Sequence, residues 1–192
     1  MPDVVFSKGG YGAFPVVIVA WMFRVPVIAH ESDSVVGLTN KILSRFTKII
    51  ITSFPTTYSN IPSHKQNNIG NPVRVYKTKY PAQNPLNLNK THPLVFIMGG
   101  SQGAEQINNF VFDSLDLFLK KYEIVHQVGA KHIRKARERH LEISPRMRRN
   151  YHCFAFLNEQ EIAFAYKQSK LIISRAGSGS IFEIASAGNQ VF

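Results

Sequence analysis

The stretch Pro93-Leu94-Val95-Phe96-Ile97-Met98-Gly99-Gly100-Ser101-Gln102-Gly103-Ala104 decides the fold. Leu94 to Met98 are apolar without alternation, the pattern of a parallel strand buried on both faces. Glycines follow at once, and Ile107, Phe110, Val111, Leu115 and Phe118 then recur at three- and four-residue spacing, the stripe of an amphipathic helix. A strand, a glycine turn and a helix N-terminus in that order make an anion site. The unpaired N–H groups of the first turn and the positive end of the helix dipole both point over the turn. Glycine keeps side chains from holding a phosphate away from that backbone. The stretch is neither a G-x-G-x-x-G fingerprint nor a P-loop, so it also reads as an ordinary strand-to-helix turn of an α/β domain.

The same rhythm continues on the C-terminal side. Strands are expected near 123–126, 151–154 and 171–174, with helices near 103–120, 132–142, 159–167 and 180–187. Towards the N-terminus, strands near 4–6, 27–29 and 49–51 alternate with helices near 14–23 and 37–46. Such alternation predicts parallel sheets covered on both faces. Between the two halves, residues 60–91 are rich in proline, asparagine and lysine, and their one sharp feature is Gly70-Asn71-Pro72-Val73-Arg74. The expected organisation is therefore an α/β chain of two Rossmann-like lobes. Residues 1–75 form a first lobe of three strands, 76–92 a linker, and 93–192 a second lobe, with a cleft between the carboxyl ends of the two sheets. Both lobes read as incomplete: the first strand is apolar on both faces, and Gln190-Val191-Phe192 opens a further buried strand.

Bulk composition excludes several classes. With 44% hydrophobic and 18% charged residues the chain is globular, not disordered. A single cysteine, Cys153, allows no intrachain disulfide and fits a reducing compartment. No apolar run approaches the roughly 20 residues of a spanning helix, and the N-terminus lacks the features of a signal peptide. The net charge of +11 is concentrated in Lys131, Arg134, Lys135, Arg137, Arg139, Arg146, Arg148 and Arg149. Such a cluster suits an anionic membrane surface, or is simply a solvated helix face. No aromatic residues interleave with it, so nucleic acid is not an expected partner.

A second candidate stretch is Ser174-Arg175-Ala176-Gly177-Ser178-Gly179-Ser180-Ile181-Phe182-Glu183. It reads in two ways: as a phosphate and ribose cradle, or as a helix start with Ser180 as N-cap and Glu183 closing a capping box. Arg74, held by the preceding proline, could clamp a phosphate or simply be solvated. His30, Glu31 and Asp33 cluster at a strand end but match no metal motif, and seven scattered histidines argue against zinc. His126 reads as a satisfied strand-end residue and Cys153 as core.

Taken in order, Ser7-Lys8-Gly9-Gly10-Tyr11, His30-Glu31-Ser32-Asp33, Gly37-Leu38-Thr39-Asn40, Gly70 to Arg74, Gly99 to Ala104, His126-Gln127-Val128-Gly129 and Ser174 to Gly177 resemble the MurG family of peptidoglycan glycosyltransferases. The resemblance covers essentially the whole chain and implies the GT-B architecture. It implies inverting transfer of N-acetylglucosamine from UDP-N-acetylglucosamine to an undecaprenyl-linked N-acetylmuramoyl pentapeptide, lipid I to lipid II, with no metal or other cofactor. The expected location is peripheral, on the cytoplasmic face of the bacterial plasma membrane.

Carried over by motif, Arg74 and Ser101 contact the donor, with Ser101 and Gln102 near its diphosphate. Leu157 turns its backbone to the uracil. Ser178, Gly179, Ser180, Ile181, Phe182 and Glu183 wrap the nucleotide, Glu183 holding the ribose. Asp33 stands where many members carry an asparagine near the sugar, and Ala13 where the glycine-tyrosine motif carries serine. The family's N-terminal glycine-rich loop with its histidine, the favoured region for the general base, has no counterpart, so no catalytic residue is assigned. A C-terminal segment that completes the sugar pocket is likewise missing. The expectation is a glycosyltransferase truncated at both ends, keeping most of its donor site and weak or inactive alone. The alternatives are a related lipid glycosyltransferase, a non-catalytic or split-enzyme half that binds UDP-sugar, and a nucleotide-binding protein of another kind.

Overall fold

The computed structural model describes residues 1–55, 61–73, 84–99 and 104–188. The chain divides into two compact units, Met1–Pro72 and Val73–Phe192. In the first, β1 (Val5–Ser7), α1 (Ala13–Met22), β2 (Val27–Glu31), α2 (Leu38–Leu43), β3 (Ile49–Thr52) and β4 (Gln66–Asn68) follow one another, with a 3-10 turn at Ser63–Lys65. The sheet runs β1-β2-β3-β4 and every pair is parallel. Three strands were expected here and the described residues hold four. β4 escapes a hydrophobic reading because Gln-Asn-Asn pairs on one side only, at the sheet's edge, and buries none of its residues.

α1 is apolar on nearly every face but buries only Val17 and Ala20, which pack on Val27 and Leu43. Val16, Val19, Trp21 and Met22 are exposed, beside an apolar groove of about 420 Å³. Arg24 ends the helix in the left-handed conformation usually taken by glycine (φ 58°), and Val25 N–H returns to the Ala20 carbonyl at 2.8 Å.

The second unit contains β5 (Leu94–Met98), α3 (Glu105–Phe118), β6 (Glu123–Gln127), α4 (Ile133–Glu142), α5 (Pro145–Arg148), β7 (Tyr151–Phe154), α6 (Glu159–Gln168), β8 (Ser169–Ser174) and α7 (Ser178–Ser186). Its sheet is parallel in the order β7-β6-β5-β8. All five residues of β5 are buried because helices cover both faces. Val95 and Ile97 meet Val111, Leu115 and Leu119 on the α3 side, while Leu94, Phe96 and Met98 meet Phe164 of α6 and Ile184 of α7 on the other. Burying such side chains contributes about 1.5–3 kcal/mol each, which is why an unbroken apolar run marks this strand.

The end of the segment expected to be a linker is packed structure. Leu86 and Leu88 join the core of the second unit. Asn89 and Lys90 donate their backbone N–H groups to the buried Glu123 carboxylate at 2.6 and 2.9 Å. Glu123 also takes His152 Nε2 at 2.8 Å, so it is a structural anchor at the amino end of β6. Polar composition hid this segment, since two leucines carry all of its burial.

Candidate functional site

The carboxyl edge of the second sheet gathers most of the expected donor residues. Parallel pairing sets Met98 beside Ser174 and beside Gln127, and Gln127 beside Phe154, so four strand ends stand in one row. β6 and β7 lie on one side of β5 and β8 on the other. The chain thus reverses its direction of spread between β5 and β8, and the crevice beyond such a switch point is where open α/β sheets bind ligands. The carboxyl ends of these two strands are neighbours, one inter-strand spacing of about 4.8 Å apart. Arg74, Ser101 and Gln102 lie outside the described residues.

After β8, Arg175 to Gly177 turn into α7. Gly177 is the N-cap, extended at φ −73° and ψ 140°, and Ile181 N–H already donates to its carbonyl at 3.1 Å. The helix therefore starts at Ser178. This corrects the capping box expected at Ser180 and Glu183: Ser180 is the third helical residue and Glu183 lies in the second turn. The backbone at Gly177, not the S-x-x-E spacing, fixes the start.

No side chain among the described residues caps α7, and its first turn holds no acidic residue. Gly179 is exposed and Ser178 and Ser180 are half-buried. The two glycines are not required by the fold. Neither has a positive φ, and among the described residues a Cβ added at Gly177 or Gly179 meets nothing within 4 Å. Glycine inside a helix costs roughly 0.5–1 kcal/mol relative to alanine. A residue kept small at a cost to the helix, over open space, suits a phosphate brought against backbone. Ile181, Phe182 and Glu183 are half-buried on the same helix.

Leu157 follows β7 with its side chain packed in the core. Asn158 then caps α6, its Oδ1 accepting from Gln160 and Glu161 N–H at 3.0 Å each, while Glu161 accepts Asn158 N–H at 2.7 Å. Among the described residues α3, like α7, has no side-chain cap; its N-cap is Ala104.

In the first unit Asp33 is exposed, and its N–H donates to Glu31 Oε1 at 3.1 Å. Buried Glu31 also accepts Gly37 N–H at 2.9 Å and Asn40 Nδ2 at 3.0 Å. It organises the loop carrying Asp33 and does not stand ready as a base or metal ligand. No group of His, Cys, Asp or Glu among the described residues is arranged to hold a metal. Gly9 is needed where it is: φ is +81°, and a Cβ would stand 2.9 Å from the Asn40 amide. His30 is buried, which pulls its pKa below the usual range.

Sequence reading passed over Asn108 and Gln127. Asn108 is wholly buried on α3, and Gln127 is buried at the end of β6 with its side-chain oxygen unpartnered among the described residues. Both belong to quoted stretches or their helix, but spacing alone cannot tell a buried amide from a solvated one. His126 is wholly buried, with its pKa lowered to about 3 by desolvation. It is a neutral core group, as its strand-end position suggested. Burial likewise raises the Cys153 thiol pKa, away from reactivity.

Of the basic cluster, Arg139 pairs with Asp116 and Glu142, and Arg148 donates to the Leu141 and Ile143 carbonyls. Lys131, Arg137, Arg146 and Arg149 are exposed.

Comparison with known proteins agrees with this geometry. The model for the glycosyltransferase family 28 C-terminal domain matches residues 94–191, and that for the family 28 N-terminal domain matches residues 1–52. A UDP-N-acetylglucosamine–N-acetylmuramyl-(pentapeptide) pyrophosphoryl-undecaprenol N-acetylglucosamine transferase of Bacillus cereus is 39% identical over 185 residues, covering 95% of this chain and 50% of the relative. The crystal structure of Acinetobacter baumannii MurG superposes with a TM-score of 0.66 at 27% identity, over 95% of this chain and 49% of that one. The UDP-GlcNAc 2-epimerase of Neisseria meningitidis, solved bound to UDP-GlcNAc, shares the fold at a TM-score of 0.63 and 16% identity, over 98% of this chain and 57% of that one. The chain spans about half the length of the curated relatives it matches.

Proposed function

Because the chain belongs to glycosyltransferase family 28, we propose that its second unit binds the nucleotide of a UDP-sugar at the carboxyl edge of β5 and β8. The observation that carries this reading is the adjacency of the ends of β5 and β8 at the switch point, with the glycine-bearing start of α7, uncapped by any described side chain, after one of them. The amides of that turn and the helix dipole suit the diphosphate. Arg74, Ser101 and Gln102 are proposed as further diphosphate and donor contacts, the Leu157 backbone as the uracil contact, and Glu183 as the ribose contact. Ser178 to Phe182 would enclose the nucleotide.

The relatives' names support N-acetylglucosamine as the sugar and a lipid-linked N-acetylmuramoyl pentapeptide as the acceptor. In inverting transfer the acceptor hydroxyl oxygen attacks the anomeric carbon from the face opposite UDP. The bond to the β-phosphate oxygen breaks, the electron pair leaves with UDP, and a base takes the hydroxyl proton. Positive groups around the diphosphate stabilise the leaving charge, which is the part of the chemistry this chain is proposed to supply. No residue is assigned as the base, and slow or absent transfer by the chain alone is expected.

Calorimetric titration tests the reading. UDP and UDP-N-acetylglucosamine should bind at least ten-fold more tightly than ADP and ADP-glucose. Equal affinity for the uridine and adenine nucleotides would overturn it.

A peripheral site on the cytoplasmic face of the membrane is part of the same proposal. It is supported by the exposed cations of α4 and α5 and by the lack, among the described residues, of any helix long and apolar enough to cross a membrane. Binding to anionic vesicles should fall steeply between low salt and about 0.5 M, since exposed charges are then screened within a few ångströms. Salt-independent or absent binding would count against the basic surface.

A further inference from the structure

The second unit holds a chain of buried polar groups that the donor contacts above do not include. Tyr151 Oη lies 3.1 Å from His126 Nδ1, and His126 Nε2 lies 3.0 Å from Asn108 Oδ1. Asn108 Nδ2 donates to the Val128 carbonyl at 3.0 Å. The amide fixes the direction. Its Nδ2 is spent on a carbonyl, so its Oδ1 must accept, His126 Nε2 carries the imidazole proton, and Nδ1 accepts from the tyrosine hydroxyl. Each link is satisfied, and all three side chains are at most 2% exposed. Phe112, one turn along α3, packs on the imidazole with ring centroids 5.7 Å apart.

Apolar residues of like volume would hold a core together as well as such a network does. What a fully satisfied polar chain adds is uniqueness of register, because any slip leaves buried donors and acceptors without partners. Here the register belongs to the beginning of α3. Asn108 N–H makes the first helical bond to Ala104 O at 2.8 Å, and its side chain ties that same turn to Val128, just beyond the end of β6. The far end of α3 is held by the apolar packing of Leu115 and Leu119 and by the exposed Asp116–Arg139 ion pair.

We propose that Asn108, His126 and Tyr151 are positioning residues for the donor site, holding the N-terminus of α3 at one height above the ends of β5 and β6 so that it meets the diphosphate. The inference rests on the UDP-sugar reading of that edge. Asn108 acts through the helix and touches no ligand itself.

The test compares two truncations in one helix. Asn108→Ala should raise the Kd for UDP at least ten-fold at a temperature where circular dichroism shows the variant folded. Tyr151→Phe, which keeps the ring and removes one link, should raise it about three-fold. Leu115→Ala removes a wholly buried side chain from the other end of α3 and should leave the Kd within two-fold of the parent chain, however much it lowers Tm. UDP binding unchanged in N108A, or weakened equally in L115A, would overturn the proposal. Should N108A fail to fold, Y151F decides by the same criterion.

Amide hydrogen exchange separates failure of this inference from failure of the UDP reading. If the parent chain does not bind UDP, the nucleotide reading falls. The positioning claim then stands only if Y151F or N108A speeds exchange of the Asn108 amide ten-fold while leaving the Leu119 amide unchanged.

Discussion

Helices α6 and α7 begin in the same way and are finished differently. Each follows the carboxyl end of a strand in one parallel sheet, β7 before α6 and β8 before α7. α6 completes its own N-terminus, with Asn158 accepting two amides, Glu161 returning to the cap, and acidic residues at 159 and 161. α7 has a glycine cap, no side-chain acceptor among the described residues and no acid in its first turn. An N-terminus that the protein satisfies for itself has no use for an anion. One left open at a switch point is where an anion gains most, since amides and dipole act together.

Closing α7 in the manner of α6 should break the difference. Gly177→Asp places a carboxylate at an N-cap whose extended backbone suits it, within reach of the Gly179 and Ser180 amides. Stability should rise by a few tenths of a kcal/mol, because aspartate is only slightly better than glycine at this position. UDP binding should fall at least 100-fold, as the carboxylate both occupies the amides and repels the diphosphate, a loss of about 2.7 kcal/mol. Titration of G177D with undiminished affinity would mean that the open turn is not where the nucleotide binds.

The next largest effect concerns the conditions under which the two helices can be compared. His126 ionises near 6.5 unfolded but only near 3 when folded, because burial disfavours its cation. Between those values the unfolded chain binds the extra proton, so stability is fully present above pH 6.5 and is lost as pH falls towards 3. The expected loss is about 1.4 kcal/mol per pH unit, or about 2 kcal/mol by pH 5. Burial lowers His30 and His140 as well, which acts in the same direction. Urea midpoints at pH 7.5 and 5.0 check this, and a difference worth under 0.5 kcal/mol would contradict a neutral His126. Work on α6 and α7 belongs above pH 6.5.

The two helices also show what a sequence can and cannot tell. Most of the strand–helix order was readable because parallel strands bury both faces, leaving runs such as Leu94 to Met98 and Ile49 to Ile51. β4 was not readable, since one-sided pairing at a polar edge asks nothing of its side chains. The two S/N-x-x-E patterns had opposite fates. Asn158 to Glu161 is the true capping box, while Ser180 to Glu183 repeats the spacing inside a helix that had already begun. Side-chain spacing describes what a cap would use, whereas the backbone at Gly177 decides where the helix starts. Candidate donor positions could be named because they lie in motifs at strand ends. Asn108 could not, because its importance comes from burial and a partner on another element, His126, that no local pattern reveals.

The smallest effect is the most direct control on the contrast. Asn158→Ala removes the acceptor for two first-turn amides of α6 and keeps the backbone N–H that Glu161 accepts. Loss of such a cap costs about 1 kcal/mol. Leu157, the preceding residue, keeps its place through side-chain packing in the core and not through the cap. Affinity for UDP should therefore stay within two-fold while Tm drops by a few degrees. If N158A instead weakened UDP as much as G177D, the cap at α6 would be part of the nucleotide site, and the distinction between a helix end the protein completes and one it leaves to a ligand would no longer hold.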